Sequence, residues 1–519
     1  MRHHRWEPTI TRLMPRQFLL LLLAPVLLWP AIVNGDAFFF PDTPAYVRSI
    51  DALAVRALGR SSDWTTARTL HIAAPAVKGP PSTTGAPRVT DENAPILTGR
   101  SPFYGVLAYL GVLTGSFWVV IALQALAAMA VLIGVVRHAI DPARARAFAL
   151  AVAATVAVGG VTSLPYFTAM LMPDIFAGLA IVAAAVLLAG WRRETHAGRI
   201  GWAAVAGYGA LTHSATTLIL LAMAGAAAAL WVLLRRTTST AAAGIGVVAL
   251  SAALGLAGDT AFAIAIDRVT GHPPIRPPFL TARLTADGVG TDFARRHCRD
   301  ANWVLCRYRD RLPLHSDSFL WSPNPANGVF MTIPPAEARA LSGEQMPFVM
   351  AVLRDNPGVV LRSSGAAIVD QMTEVGLEEF HYSPEEVDGF VDKMPTRLVA
   401  RIRDTAAYRG TVPIDLVAAL GWPSVLASAL IVVWASRRPA LRAQATLGGW
   451  VVLGWLANDA ICGAMSTPHD RYNMRVIWAL PIVAAVIVAA ALAARRRSGP
   501  HVTALPPELP EHQAFGAHP

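Results

Sequence analysis

A short stretch directly after the first apolar segment carries two carboxylates, Asp36 and Asp42, and the pair Tyr46 and Arg48. An enzyme that works at the boundary between water and lipid needs acid–base groups at this depth. Ionisable residues in or near a bilayer are costly and usually face a cavity, so these residues are functional candidates. The stretch therefore predicts acid–base chemistry at a membrane surface, with a plain polar loop as the alternative.

Further polar residues that would lie on the same membrane face come from distant parts of the chain. Arg100 precedes a short apolar run, Asp174 lies near the start of a later run, and His213 lies at a turn between two runs. Asp459 lies in the outer half of an apolar run. The last apolar run is preceded by a polar group: His469, Asp470, Arg471, Tyr472 and Arg475. The predicted location of all these residues on one membrane face is a stronger argument for a functional site than any single short sequence motif.

Each candidate also has a purely structural interpretation. Asp42 can act as the N-cap of a helix over residues 42–58, and Asp174 can cap a helix that continues after Pro173. His213 can satisfy backbone groups at a tight turn, while Arg471 and Arg475 can extend their guanidinium groups to lipid headgroups. For Asp36, Arg48 and Asp459 we favour the structural role.

The composition indicates the class of protein that must position these residues. The chain has 519 residues, of which 54% are hydrophobic and 15% are charged, and its mean hydropathy is +0.44. Soluble proteins carry about a quarter charged residues, so the chain is predicted to be an all-α polytopic membrane protein. The net charge of +10 is dispersed in small clusters between apolar runs, which argues against nucleic acid as a partner.

About ten membrane spans are expected from the apolar runs. The run over residues 103–113 is too short to span and is predicted to lie at the outer interface. The expected spans cover residues 17–33, 117–136, 147–164, 166–190, 200–211, 215–234, 241–258, 411–434, 446–465 and 476–494.

Basic residues between these runs predict the orientation. With an uncleaved first helix and a cytoplasmic N-terminus, every predicted inner loop is basic, whereas the short outer turns near Pro165 and His213 are not. The C-terminus is then cytoplasmic as well, and a bacterial cytoplasmic (inner) membrane is the expected location. The inner-loop residues are Arg137, Arg144, Arg146, Arg192, Arg193, Arg199, Arg235, Arg236, Arg437, Arg438, Arg442, Arg495, Arg496 and Arg497.

The chain is expected to divide into four parts. Residues 1–258 form a transmembrane core with a large first outer loop over residues 34–116. Residues 259–410 have the composition of a soluble protein and are predicted to form a mostly helical extracytoplasmic domain. Residues 411–497 form the C-terminal spans, and the Pro-rich residues 498–519 form a disordered cytoplasmic tail.

The three cysteines fall into two groups. Cys298 and Cys306 lie in the predicted extracytoplasmic domain, where an oxidising environment would favour a disulfide between them, with two free thiols as the alternative. Cys462 lies in an apolar run and is expected to be a small core residue.

Four short motifs resemble those of the GT-C-fold membrane glycosyltransferases, the clan of the protein O-mannosyltransferases and the aminoarabinose transferase of lipid A. Residues 41–46, Pro-Asp-Thr-Pro-Ala-Tyr, resemble the acidic motif of their first outer loop. Residues 100–104, Arg-Ser-Pro-Phe-Tyr, and residues 172–176, Met-Pro-Asp-Ile-Phe, are similar to two further motifs. The Arg471-Tyr472 pair also recurs in many members. The resemblance covers the first ~240 residues and the C-terminal spans, but not residues 259–410.

The resemblance implies a donor sugar on a polyprenyl phosphate or pyrophosphate, transferred on the outer face to a lipid, glycan or protein acceptor. Asp42 would act as general base, and Asp174 would orient the acceptor or position a cation. Arg471, Arg475 and Arg100 would hold the phosphate. The other predicted substrate-binding residues are Tyr46, Tyr104, His213, His469 and Tyr472.

One departure from the family bears on a metal cofactor, and two other functions remain as alternatives. Many members carry a second acid where this chain has Thr43, which weakens the case for a divalent metal and leaves no cofactor assigned. A transporter or flippase for a lipid-linked or anionic substrate would use the same arginines, but would need polar residues through the full membrane depth. A non-catalytic relative whose outer domain serves in interactions is a third alternative.

Overall fold

The structure, a computed structural model, describes residues 19–66, 97–234, 241–299, 302–391 and 393–495. Within these ranges it is built from helices, and its only β pairing consists of the isolated bridges Phe38–Met170 and Leu97–Ile275. Several predictions lie outside the described residues: the cytoplasmic N-terminus, residues 67–96 of the predicted first outer loop, the inner-loop residues Arg235, Arg236, Arg496 and Arg497, and the tail over residues 498–519.

The N-terminal part begins with the 3₁₀ helix Leu19–Leu28 and continues as a series of α-helices. They are α1 (Trp29–Asn34), α2 (Thr43–Leu58), α3 (Pro102–Thr114), α4 (Trp118–Ala139), α5 (Ala145–Gly160), α6 (Leu164–Ala169), α7 (Asp174–Gly190), α8 (His196–Thr212), α9 (Ser214–Leu233) and α10 (Ala242–Thr270).

The middle part contains shorter helices and two 3₁₀ helices, Val304–Arg311 and Glu378–Phe380. Its α-helices are α11 (Phe279–Ala286), α12 (Val289–His297), α13 (Ser316–Trp321), α14 (Pro335–Gly343), α15 (Gln345–Asp355), α16 (Pro357–Thr373), α17 (Pro384–Val391) and α18 (Thr396–Arg403). The C-terminal part comprises α19 (Asp415–Ser436), the 3₁₀ helix Pro439–Leu441, α20 (Arg442–Met465), α21 (Asp470–Ile477) and α22 (Ala479–Arg495).

Six helical segments of the described chain are long and apolar enough to cross a membrane, so the protein is a helical membrane protein. Four shorter apolar helices accompany them: Leu20–Asn34, Pro102–Thr114, Ala145–Gly160 and Asp174–Gly190. The six long segments are Trp118–Ala139, Ser214–Leu233, Ala242–Thr270, Asp415–Ser436, Pro439–Met465 and Asp470–Arg495.

Two expected boundaries differ from the structure. The run expected to span as residues 166–190 is broken between α6 and α7, so Asp174 begins a helix instead of lying one turn inside one. Proline 173 explains the break, because it lacks a backbone donor and disfavours the helical conformation at Met172. The predicted boundary at residue 258 falls inside α10, which continues to Thr270 as one helix.

Helix α7 is the centre of the membrane part. Every residue from Asp174 to Gly190 is buried, and a helix that is apolar around its whole circumference must be surrounded by other helices. Helices α4, α8, α10, α20 and α21 all pack against it. The N-terminal end of α7, where Asp174 lies, is therefore enclosed by elements from both ends of the chain.

The predicted extracytoplasmic segment is divided between two hydrophobic cores. Residues between Ile275 and Val352 form a core of their own, which contains Phe293, Phe319 and Phe348. From Leu377 onward, buried residues such as Phe380 belong to the same core as the membrane helices. The second half of the segment is thus continuous with the membrane part.

Gly178 allows α7 and α21 to approach closely. A Cβ atom at this position would lie 2.5 Å from the Trp478 ring and 2.8 Å from the backbone oxygen of Arg475. The backbone oxygen cannot move without shifting α21, so we expect Gly178→Ala to destabilise the protein by about 1–3 kcal/mol. Thermal unfolding in detergent would measure the loss.

Gly225→Ala in α9 is the matched control, since a Cβ atom there would meet nothing within 4 Å. It should leave the unfolding temperature unchanged or slightly raised, because alanine is the better helix former. Equal unfolding temperatures for the two variants would contradict the close packing of α7 on α21.

Candidate functional site

Asp174 and Arg475 form a buried ion pair at the centre of the candidate site. The Arg475 Nη1 atom lies 3.3 Å from Asp174 Oδ1, and the two side chains are 0% and 2% exposed. The residues are 301 positions apart in sequence, and the contact depends on the packing of α21 against α7. Because Arg475 is fully buried in an ion pair, its predicted alternative role of reaching toward lipid headgroups is wrong.

Arg475 contacts three further residues. Its Nη2 atom donates to Asn458 Oδ1 at 3.0 Å and contacts the Cys462 sulfur at 3.3 Å, both on α20. Its Nη1 atom is 3.2 Å from His213 Nε2. A guanidinium only donates, so His213 Nε2 must accept, and the proton of the neutral ring then resides on Nδ1.

Arg471 lies between two carboxylates and two aromatic rings. Its Nε atom is 3.9 Å from Asp174 Oδ1 and 3.6 Å from Glu379 Oε1. The guanidinium carbon lies 4.1 Å from the centre of the Phe40 ring and 5.3 Å from that of Tyr472. Its side chain is 11% exposed, so the alternative in which Arg471 extends its guanidinium group to lipid headgroups is wrong as well.

Asp42 is paired with Arg100 at the more exposed rim of the cluster. Arg100 Nη2 donates to Asp42 Oδ1 at 2.5 Å, and the side chains are 18% and 28% exposed. Asp42 occupies the N-cap position of α2, but its side chain makes no capping hydrogen bond. The capping role considered for this side chain is therefore wrong, and likewise the Asp174 side chain caps no helix.

The loop that carries Asp42 is held against the break between α6 and α7. Phe38 accepts a backbone hydrogen bond from Leu171 at 2.9 Å and donates one to Ala169 at 3.0 Å. The Thr43 hydroxyl donates to the Leu171 carbonyl at 3.0 Å. These contacts bring the first outer loop next to the start of α7, and they leave Thr43 fully buried in a structural role.

Tyr46 and Tyr104 are buried aromatic residues near the Asp42 and Asp174 carboxylates. Their rings meet edge to face with centres 5.1 Å apart, and the Tyr104 hydroxyl donates to Gln124 at 3.0 Å. Burial, together with the charges of Asp42 and Asp174, raises the pKa of Tyr46 above its ordinary value. The Tyr46 hydroxyl therefore stays protonated at neutral pH.

The middle part of the chain contributes two side chains to the rim. Asp317 on α13 lies 3.1 Å from His469 Nε2. Burial alone would raise the pKa of Asp317, but the hydrogen bond and charge of His469 hold it below the ordinary value. The Trp321 ring lies 4.8 Å from the guanidinium carbon of Arg100, so α13 contacts the Asp42–Arg100 pair through Arg100.

Glu379 is a third contribution from the middle part, in the 3₁₀ helix Glu378–Phe380. Burial raises its pKa to about 8, although Arg471 opposes this shift. The neighbouring Phe380 ring holds this 3₁₀ helix in place by packing on Phe38 and Tyr166, with ring centres 4.9 and 5.0 Å away.

His469 and Tyr472 orient the start of α21. The His469 backbone accepts from the Gln371 side chain at 2.8 Å and donates to it at 3.0 Å. The His469 and Tyr472 rings meet edge to face with centres 5.3 Å apart. The Tyr472 ring also lies 5.1 Å from the guanidinium carbon of Arg475, so it contacts both arginines.

Several buried polar atoms of this cluster make no hydrogen bond with the described residues. Unpaired buried polar groups cost about 1–3 kcal/mol each, and their concentration here is typical of a site that binds a polar ligand. A ligand with anionic oxygens and hydroxyl groups would satisfy both the donors and the acceptors. The atoms are Asp174 Oδ2, His213 Nδ1, Glu379 Oε2, Arg471 Nε and Nη1, and Arg475 Nε.

Metal binding has little geometric basis in this cluster. Among the residues that the structure describes, no group of three or more His, Cys, Asp or Glu side chains is arranged to hold a metal ion. The carboxylates of Asp42 and Asp174 are instead occupied by guanidinium groups. The arrangement is suited to binding an anion, in which arginine is more effective than a point charge.

The remaining candidates are Asp36, Asp459 and the three cysteines. Asp36 pairs with Arg401 at 2.7 Å, as expected for a structural residue. Asp459 is fully buried on α20 and accepts a hydrogen bond from Asn458 at 2.9 Å. Cys298 and Cys306 form a disulfide with Cα atoms 5.3 Å apart, and Cys462 is buried as a free thiol.

Sequence reasoning missed several residues that contact the cluster. Asn458 had a detectable signal, since it forms a polar pair with Asp459 inside an apolar run. Phe40, Asp317, Trp321 and Glu379 had none, because nothing in their local sequence distinguishes them from neighbouring aromatic and acidic residues.

Comparisons with protein-family models, curated proteins and solved structures found no match for this chain.

Proposed function

We propose that the protein is a membrane glycosyltransferase that moves a sugar from a polyprenyl-phosphate-linked donor to an acceptor. The proposed architecture is GT-C-like, with about ten spans: the six long segments, the shorter helices Leu20–Asn34, Ala145–Gly160 and Asp174–Gly190, and α8. The reaction would take place on the outer face of a bacterial cytoplasmic membrane, with both termini in the cytoplasm. The acceptor would be a lipid, a glycan or a protein.

The observation that carries the proposal is the convergence of Arg471 and Arg475 on Asp174, with unpaired guanidinium nitrogens on both arginines. A glycosyl phosphate releases an anionic phosphate when its glycosidic bond breaks. Fixed guanidinium groups stabilise the charge that develops on such a leaving group. Asp174 keeps the two like charges close together, and its free Oδ2 atom can accept a hydrogen bond from a sugar hydroxyl.

Asp42 is the proposed general base. Its side chain is 28% exposed, whereas those of Glu379 and Asp174 are 19% and 2% exposed. This more accessible position suits an acceptor that arrives from the aqueous side. Arg100 would position this carboxylate, and the Trp321 ring above Arg100 offers an apolar surface for a sugar ring. Tyr46 would donate its hydroxyl proton in a hydrogen bond to the sugar or the phosphate.

A transporter of a phosphate-linked lipid is a second candidate, and one observation favours it. Asp42 Oδ1 accepts a hydrogen bond from Arg100 at 2.5 Å, so this carboxylate already serves as the counterion of a cation. A protein that only binds the phosphate would have no need for Asp42 to accept a proton.

Asp42→Asn separates these two functions. If Asp42 is the base, this variant should reduce sugar transfer by about 100-fold, within the range that general-base catalysis contributes, while binding of polyprenyl phosphate remains within about twofold. Sugar transfer would be followed as release of polyprenyl phosphate from labelled polyprenyl-phosphate sugars incubated with membranes that contain the protein. Asp63→Asn, which removes an exposed partner of Arg397, is the control.

Full sugar transfer by both Asp42→Asn and Asp174→Asn would contradict the proposed mechanism. Movement of the labelled polyprenyl-phosphate sugar across the membrane of sealed vesicles, without release of polyprenyl phosphate, would favour the transporter.

A further inference from the structure

Glu379 is in a position to compete with an anionic ligand for Arg471. Its Oε1 atom lies 3.6 Å from Arg471 Nε, while Arg471 Nε and Nη1 and Glu379 Oε2 make no hydrogen bond with the described residues. The pair is therefore an ion contact without the directed hydrogen bonds of a structural salt bridge. A phosphate with better geometry can displace this carboxylate.

We propose that Glu379 is a proton-controlled counterion, which covers the anion-binding face of Arg471 when ionised and releases it when protonated. Glu379 is thus a positioning residue, and the ligand class is a phosphate monoester. The inference rests on the proposed function to the extent that the phosphate belongs to the lipid carrier.

The charges around Glu379 allow this change near neutral pH. Arg471 and Asp470 face it from α21, and Asp174 faces it from the start of α7. Tyr166 of α6 packs its ring on the neighbouring Phe380, and its hydroxyl donates to the Pro413 carbonyl at 2.6 Å. Burial raises the pKa of Glu379 to about 8, and the Asp470 and Asp174 carboxylates act in the same direction, while Arg471 opposes them.

The sign of the effect follows from these groups. Below about pH 8, Glu379 is neutral, so it leaves the charge of Arg471 to the ligand and can donate a hydrogen bond to a phosphate oxygen. Above that pH, the ionised carboxylate neutralises Arg471 and repels the phosphate. The affinity for a phosphate monoester should therefore be high at low pH and fall as the pH rises through the pKa of Glu379.

The test measures binding of undecaprenyl phosphate to the full chain in lipid nanodiscs from about pH 7 to about pH 9.5. Phosphate monoesters have a second pKa near 6 and keep a nearly constant charge over this range. Wild-type affinity should fall at least ~10-fold across the range, whereas Glu379→Gln should change by less than ~2-fold, because amide and carboxylic acid are both neutral. Glu379→Asp, which keeps an acid, should retain a fall.

Glu378→Gln is the matched control, since it removes the same charge from the adjacent, exposed residue. Its affinity should follow the wild-type curve. A second series with inorganic phosphate as competitor, at a single pH, distinguishes a lipid-bound from a free phosphate as the preferred ligand.

The outcomes separate this inference from the proposed function. Equal pH dependence of wild type and Glu379→Gln, or a flat wild-type curve, would overturn the role of Glu379 and leave the proposed glycosyltransferase intact. Lack of binding of either phosphate by every variant would overturn both.

Discussion

Asp174→Asn is expected to abolish sugar transfer almost completely, with a loss of about 100-fold or more, and to destabilise the protein as well. Asp174 is 2% exposed and lies 3.3 Å from Arg475 Nη1 and 3.9 Å from Arg471 Nε. Removing one partner of a buried ion pair leaves the other charge uncompensated, which costs about 3–5 kcal/mol. The measurements are release of polyprenyl phosphate and thermal unfolding in detergent.

Two variants separate the loss of a functional group from the loss of stability. Asp388→Asn makes the same substitution in an ion pair with Arg403 whose carboxylate is 69% exposed, and should change neither measurement appreciably. The double variant Asp174→Asn/Arg475→Gln removes both charges and should regain stability relative to Asp174→Asn, without regaining activity. If Asp174→Asn unfolded at the same temperature as the wild type, the buried ion pair between Asp174 and Arg475 would be contradicted.

Arg471→Ala is expected to weaken binding of a polyprenyl phosphate by about 100-fold, within the range measured for charge-assisted hydrogen bonds at buried sites. Arg471 has two unpaired nitrogens and is stacked on Phe40 at 4.1 Å, so it is held ready for a ligand. Arg471→Lys keeps the charge but loses the planar fork and the stacking. It should therefore bind with intermediate affinity, about 10-fold weaker than the wild type.

Arg401→Ala is the matched control for Arg471→Ala. Arg401 also pairs with a carboxylate, Asp36 at 2.7 Å, but its side chain is 47% exposed and lies outside the cluster. It should bind polyprenyl phosphate as the wild type does. If Arg471→Lys bound as weakly as Arg471→Ala, the stacked, forked geometry of arginine would be essential; if Arg471→Ala bound normally, the proposed phosphate site would be wrong.

The candidate site joins the membrane helices to the middle part of the chain. Asp174, Arg471 and Arg475 come from helices of the membrane core, whereas Asp317, Trp321 and Glu379 come from residues 259–410. A ligand at the arginines would thus contact both parts. The middle part was expected to be a separate extracytoplasmic domain of unassigned role, and its three contacts now give it a place in the site.

The membrane class of this protein and the charged residues at the ends of its apolar runs depend on local sequence, so both could be predicted from the sequence alone. Long apolar runs exclude a soluble fold, because their burial requires either a very large core or a lipid environment. Charged residues at the ends of these runs are equally visible, and Asp174, His213, Arg471 and Arg475 were selected on that basis. These residues do lie together in the structure, since each begins or precedes a helix at one end of the same bundle.

The partners of these residues were decided only by the tertiary structure. Asp42 was expected to be the general base and Arg100 a candidate phosphate ligand, and the structure pairs them with each other. Arg471 and Arg475 were compatible with an exposed role, but the enclosure of α7 on all sides buries them. Glu379 acquires its raised pKa from burial against residues far along the chain. Ion pairing and burial depend on distances between helices that are remote in sequence, and local patterns of residues carry no information about those distances.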